Sequence, residues 1–208
     1  MPKKTFLKLR DEKQEKVLRS AIHEFVKNGF AGARVSDIAK SAEVAKGSMY
    51  QYFEDKKALF VYCAQWSLET FMKKLDERMN LKEMDAFEYF QDNLARTETI
   101  NEERELMLFM RGVANEPALA APSMKAMYNA GDLYAEKLIQ NSQRKGLVRK
   151  DIDAGLLLFY FLAVTERFKT RWLDLYVDLN SEATKEQREI MNNEKYQMLE
   201  LLKNGMGC

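Results

Sequence analysis

A chain of 208 residues, 46% hydrophobic and 31% charged, is long enough for one or two domains with a sizeable core. Its net charge of +1 hides an asymmetry: residues 1–60 carry 13 Lys and Arg against 8 Asp and Glu, whereas residues 61–208 carry 20 against 24. A basic first part suits a polyanion and an acidic remainder restrains indiscriminate nucleic-acid binding, while two cysteines and no apolar leader argue against a disulfide-framed secreted protein and predict a cytoplasmic one without membrane association.

Lys3, Lys4, Lys8 and Arg10 come first and read as a basic arm, either a solvated tail or a disordered segment that reaches a phosphate or the minor groove. Leu18, Ala21, Ile22, Phe25 and Val26 then recur at the spacing of an amphipathic helix's buried face. Asn28-Gly29 stops that helix, with Gly29 suited to the left-handed position after a helix end and Phe30 free to pack back on the last turn. The single histidine, His23, is expected to border this small core. Val35, Ile38, Ala39 and Ala42 stripe a second helix too short to be stable alone. Val44 lies in a turn, and Met49 and Phe53 share one face of a third helix, so a helix-turn-helix converges on the first helix.

With those residues buried, Lys46, Gly47, Ser48, Tyr50, Gln51 and Tyr52 are left on an outer face where a recognition helix enters the major groove of double-stranded DNA. Lysine reaches phosphates or guanine edges, glutamine pairs bidentately with adenine, serine meets either, and tyrosine hydroxyls suit phosphate oxygens or base edges. Gly47 costs about 1 kcal/mol relative to alanine inside a helix. Close approach of the backbone to DNA would explain it; a position in the first turn, where the cost is smaller, is the plainer alternative.

These residues resemble the amino-terminal domain of the TetR family of bacterial transcriptional regulators, through Gly29-Phe30, Val35-x-Asp37-Ile38-Ala39, Val44-Ala45-Lys46-Gly47-Ser48-Met49-Tyr50-x-Tyr52-Phe53 and Lys56-x-x-Leu59. The resemblance covers about the first sixty residues. It implies that Ser36 faces DNA from the second helix, that Lys46 to Gln51 supply most base contacts, and that Tyr52 and Lys56 hold phosphates. For Lys56 the residues agree, because Asp55 is a good N-cap and the amino end of a helix attracts phosphate. Three departures stand out. Ala33 and Arg34 replace the family's threonine or serine, so the second helix lacks its cap and Arg34 is expected at a phosphate. Glu43 replaces the turn glycine, at a cost if its φ is positive. Ala45 replaces the serine cap of the third helix, a loss of about 1 kcal/mol.

The pattern stays helical to the end, giving an all-α chain with a DNA-binding domain at 1–54 and a second helical domain at 55–208. Phe60, Ala64, Ser67 and Phe71 begin a connecting helix from Asp55 to about Asn80; Phe87, Phe90 and Leu94 stripe the next, and Leu106, Phe109, Met110, Val113 and Ala114 the one after. Glu116-Pro117 breaks that run, Pro122 suits a first turn, Met124, Met127, Tyr128, Gly131, Ala135 and Leu138 keep step along the following helix, and Gly146 closes it. Leu156 to Val164 has no polar side, yet is far too short for a bilayer span of roughly 20 residues, and is expected to be buried all round by packing on its own subunit and on a partner at once. Ile190, Met191, Met198, Leu199 and Leu202 stripe the last helix. The resemblance implies a homodimer through the last two helices and hence a palindromic operator.

The resemblance also implies a small, largely apolar or aromatic effector that releases a repressor from its operator, with the connecting helix carrying the motion. Candidate pocket residues are Trp66, Phe87, Phe90, Phe109, Met110, Met127, Tyr128, Tyr160 and Trp172. Arg111, Glu166 or Arg167 would orient a polar group, unless each belongs to a surface ion pair. No Cys/His metal spacing, nucleophile elbow or phosphate-cradling glycine loop is present, so no cofactor, metal or enzymatic activity is expected. A DNA-bound adaptor of the same fold without an effector is the alternative.

Overall fold

The computed structural model describes residues 1–81, 83–92, 99, 102–176 and 184–207, with the side chains of a few helical residues, Trp172 among them, left undescribed. Its helices are α1 Lys4–Leu7, α2 Asp11–Gly32, α3 Val35–Ser41, α4 Lys46–Tyr52, α5 Lys56–Met79, α6 Ala86–Gln91, α7 Arg104–Gly112 with a 3-10 turn Val113–Asn115, α8 Ala120–Arg144, α9 Ala154–Tyr176 and α10 Lys185–Met206. No strand occurs among the described residues, and the fold is all-α as the periodicity predicts. The expected stripe residue Leu94 lies outside the described residues. No helix of the described residues is long and apolar enough to cross a membrane.

The chain divides into two compact units, one of Met1–Lys74 with Thr97–Asp132 and one of Leu75–Arg96 with Leu133–Cys208. In the first, Val17, Leu18, Ala21, Ile22 and Phe25 of α2 bury one face against Ile38, Ala39, Met49, Phe53 and Leu59. Val26, expected in that stripe, is 37% exposed. The helix kinks at Gly29, whose φ of 63° and ψ of 172° form a backbone region open essentially to glycine alone. Phe30 then packs back: its ring centroid lies 6.2 Å from Phe25 and 5.4 Å from Phe60. Phe60 in turn contacts Phe25 and Phe109, each at 5.0 Å, so an aromatic nest joins α2, α5 and α7. Cys63 is fully buried beside it, and burial pushes its thiol pKa up.

Three acidic side chains from the later segment of this unit grip α2. The guanidinium of Arg19 donates to both carboxylate oxygens of Glu103 at 2.9 and 3.1 Å, and Lys74 pairs with the same carboxylate. Glu105 meets His23 Nδ1 at 2.7 Å, and Glu116 accepts the Phe30 N–H at 2.9 Å. His23 is therefore an exposed clasp residue and not part of the core border expected for it. The amino-terminal arm also departs from expectation. Phe6 is fully buried in this core, and α1 packs on the domain, so the arm is neither a solvated tail nor a disordered strand. Burial of the Phe6 ring acts together with the hydrogen bonds of Lys3 and Thr5 to the end of α4 to offset the chain entropy that the segment loses.

In the second unit, Phe87, Phe90, Leu138, Ile139, Leu157, Phe161, Leu199 and Leu202 form the core. The start of α6 is fixed by a capping box of Asp85 and Glu88, and its Ala86 N–H donates to Ser142 Oγ at 2.9 Å. Gly146, at φ 72°, closes α8 as expected. The apolar run of α9 is buried on one side only, through Leu157 and Phe161. Leu156 and Phe159 stand exposed on the other, the latter at 70%.

Burial alone would raise the Glu103 pKa, but the hydrogen bonds from Arg19 and Lys74 outweigh it and hold the carboxyl below its ordinary 4.5. Below pH 4.5 the unfolded chain therefore binds more protons than the folded one, and stability falls as pH drops through the depressed folded value. Arg19→Met is expected to lower stability at pH 7 by about 1–2 kcal/mol, since Lys74 still pairs the acid, and to make the acid loss shallower. Urea unfolding at pH 7 and pH 4 checks both.

Candidate nucleic-acid interface

The α3–α4 turn is closed by backbone bonds from Val44 N–H to Ala39 O at 2.9 Å and from Ala42 N–H to Ile38 O at 2.9 Å. Glu43 at its apex has φ 54°, the left-handed conformation that its place in the turn threatened. Its carboxylate meets Lys16 at 2.6 Å, and the hydrogen bond from Lys16 draws its pKa down. Neither short helix has a side-chain cap, as Ala45 and Arg34 foretold. At α3 the Arg34 N–H donates instead to Glu24 Oε1 at 3.1 Å.

Burial of Ile38, Ala39, Ala42 and Met49 turns the opposite side of this helix pair outward. Arg34, Ser36, Lys46, Gly47, Tyr50 and Gln51 are exposed together and Ser48 is half-buried, so seven of the nine residues expected at DNA share accessible surface on α3, α4 and their leading turns. A Cβ added at Gly47 would meet nothing within 4 Å, so no packing inside the domain demands glycine there. Tyr52 and Lys56 are placed differently. Tyr52 is 8% exposed, with its ring 5.7 Å from Phe6. The Lys56 ammonium donates to Phe30 O at 2.7 Å, Ala33 O at 2.9 Å and Ala31 O at 3.3 Å, and lies 4.6 Å from the Phe30 ring. An ammonium has three N–H bonds, and all three are used on the turn that follows Gly29. Asp55 caps α5 as expected, through the Ala58 N–H at 2.7 Å.

Residues 17–63 match the family model of the bacterial regulatory proteins, tetR family. Residues 17–63 are a TetR-family DNA-binding domain. It is 31% identical over 65 residues to the uncharacterised HTH-type transcriptional regulator YerO of Bacillus subtilis, a match spanning 31% of this chain and only 22% of YerO. To the HTH-type transcriptional repressor SCO4008 of Streptomyces coelicolor it is 26% identical over 152 residues, 72% of this chain and 74% of that one. Among solved structures, the transcriptional regulator FadR of Bacillus subtilis in complex with stearoyl-CoA superposes with a TM-score of 0.66 over 92% of this chain and 98% of its own, at 18% identity, a likeness of fold. That domain carries a DNA-binding helix-turn-helix, and α3 and α4 are its two helices.

The side chains expected to line a TetR-type effector pocket come from the cores of both units. Phe109 is buried in the first unit's core, with Trp66, Met110 and Met127 half-buried against it, whereas Phe87 and Phe90 belong to the second unit's core. Tyr128 and Tyr160 are exposed, and the Trp172 side chain lies outside the described residues. Tyr160 rests on Gly205, where an added Cβ would come 2.9 Å from its hydroxyl. Sequence reasoning missed the contribution of Lys3, Thr5, Glu103, Glu105 and Glu116 to this half of the molecule. Phe6, an isolated large apolar group in a basic arm, was the one available signal.

Gly47→Ala is expected to leave the melting temperature unchanged or slightly raised, by helix propensity, while lowering operator affinity at least tenfold in a fluorescence titration. Equal affinity would return Gly47 to an ordinary first-turn residue. Lys56→Met is expected to cost about 1.5–3 kcal/mol of stability through the lost charged hydrogen bonds with the salt dependence of binding unchanged. A loss of about 0.9 in the log–log salt slope would instead identify a phosphate contact.

Proposed function

We propose that two copies of this TetR-family regulator bind a palindromic operator as a repressor, inserting α4 of each copy into successive major grooves. The observation that carries the reading is the exposed face of α4: a helix with a buried apolar side presents Lys46, Gly47, Tyr50 and Gln51 outward with no fold requirement for the glycine. In this reading Gln51 pairs with a base edge, Lys46 and Ser48 meet phosphate or guanine, and Arg34 and Ser36 hold the backbone from α3. Tyr52 and Lys56 act mainly by fixing α4 and the turn after α2.

Support for the homodimer comes from the last two helices. Phe159 and Leu156 on α9, with Ile190, Tyr196 and Leu201 on α10, are large apolar side chains left in solvent, and such patches mark interaction surfaces. An effector is the finer part of the proposal. Its support is the TetR-family match of residues 17–63 and the stearoyl-CoA held by the FadR relative. A small, largely apolar ligand would bind the conformation whose recognition helices are too far apart for one operator, favouring it by several kcal/mol, with α5 carrying the shift. Of the candidate lining groups, Phe87 and Phe90 in the second unit's core are the ones this reading retains.

Selection of bound fragments from random duplex DNA tests the operator and should return a palindrome with half-sites one helical turn apart or a multiple of it. On that sequence, Gln51→Ala is expected to relax discrimination at one base pair per half-site by about 1–3 kcal/mol; full discrimination in the variant would remove Gln51 from the reading set. Phe159→Lys combined with Leu201→Lys should sediment as a monomer at concentrations where the wild type is a dimer. A dimer that survives both charges would locate the interface elsewhere.

A further inference from the structure

The recognition helix is seven residues long, and its last four carbonyls have no partner within it. One of them, Met49 O, accepts the N–H of Phe53 at 2.9 Å in the usual way. The other three are taken by the amino-terminal arm. Lys3 Nζ donates to Tyr50 O at 2.8 Å, the Thr5 hydroxyl donates to Gln51 O, and the Lys3 N–H donates to Tyr52 O at 2.8 Å. Pro2 and Phe53 form an antiparallel bridge beside them. The arm is itself held by Phe6, whose buried ring lies 4.8 Å from Phe53, 5.7 Å from Tyr52 and 5.9 Å from Tyr62. Residues 2–6 lie outside the family match, which begins at residue 17.

We propose that the segment Pro2–Phe6 is a clamp on the carboxyl end of the recognition helix, which makes Lys3 and Thr5 positioning residues for base readout. Phe6 is the anchor, the single turn of α1 aims Lys3 and Thr5, and their donors hold the carbonyls of Tyr50 and Gln51, two residues whose side chains face outward. A two-turn helix without an amino-terminal side-chain cap has little of its own to resist fraying. The Lys3 charge also sits at the end of α4 where the peptide dipoles are negative, the favourable sign. Bidentate base contacts need a fixed approach angle, and the clamp supplies it at the end of α4 opposite the exposed Lys46 and Gly47.

The inference rests on the DNA-binding reading for its consequence but not for its geometry, and the experiment separates the two. Thr5→Val removes the hydroxyl at constant size and charge, and Thr5→Ser restores it. In the free full-length protein, amide hydrogen exchange over residues 50–53 should accelerate about tenfold in Thr5→Val and return to the wild-type rate in Thr5→Ser, with the global melting temperature essentially kept. The ratio of affinities for the selected operator and a scrambled duplex should fall at least fivefold in Thr5→Val, with an unchanged salt slope. Lys3→Met should give the same pattern, while Lys3→Arg keeps a donor and recovers the ratio. Unchanged exchange in both Thr5→Val and Lys3→Met overturns the clamp. So does a loss in Lys3→Met that appears only as a salt slope smaller by about 0.9, which would make Lys3 a phosphate contact. A wild-type chain that grips no duplex at all overturns the functional reading alone, since exchange in α4 still decides the clamp.

Discussion

Two turns of helix contain too few internal hydrogen bonds to offset the fixing of their backbone, so α4 exists only because its surroundings hold it. Met49 is driven into the core, Ala45 offers no cap, and the carbonyls at the far end are met by Phe53, Lys3 and Thr5. Much of the first unit follows from that dependence. The aromatic nest of Phe25, Phe30, Phe60 and Phe109 fixes α2, the surface on which the short helices rest. Lys56 then ties the turn after Gly29 to the start of α5.

The parts legible in the sequence are those with a local or periodic cause. The stripes of α2 and α3 appear as spacing because burial on a helix repeats every three or four residues. Gly29, Glu43 and Ala45 were readable because backbone conformation and capping depend on the residue in place. The contacts that were not legible join distant positions through single polar atoms. Arg19 and Glu103 are 84 positions apart, and Thr5 and Gln51 are 46 apart, and neither pairing leaves a trace in hydropathy. Lys56 shows the same limit in reverse. Its neighbours allowed a phosphate, and three carbonyls 23 to 26 positions earlier are nearer at hand.

The expected ligand-lining set draws on both cores for a related reason. Aromatic and methionine side chains at helical spacing announce burial without saying in which core. Phe109 and Phe90 have the same sequence character and belong to different units. The run in α9 was more informative because it lacked a polar side altogether. Half of that run is covered within the protomer, and the bare half, with Phe159 at its centre, is the strongest pointer in the second unit to a partner surface.

The boundary of the first unit carries a consequence for how such regulators could exchange parts. The stretch matched by the family ends at residue 63, yet the compact unit that contains it also takes in residues 97–132. Glu103, Glu105, Glu116 and Phe109 all come from that second stretch. Grafting only the first sixty residues onto another protein would strand Arg19 and Phe30 without their acids and bare one wall of the nest. A working transplant has to carry that second stretch along, because the acids and the aromatic wall that complete the domain come from it.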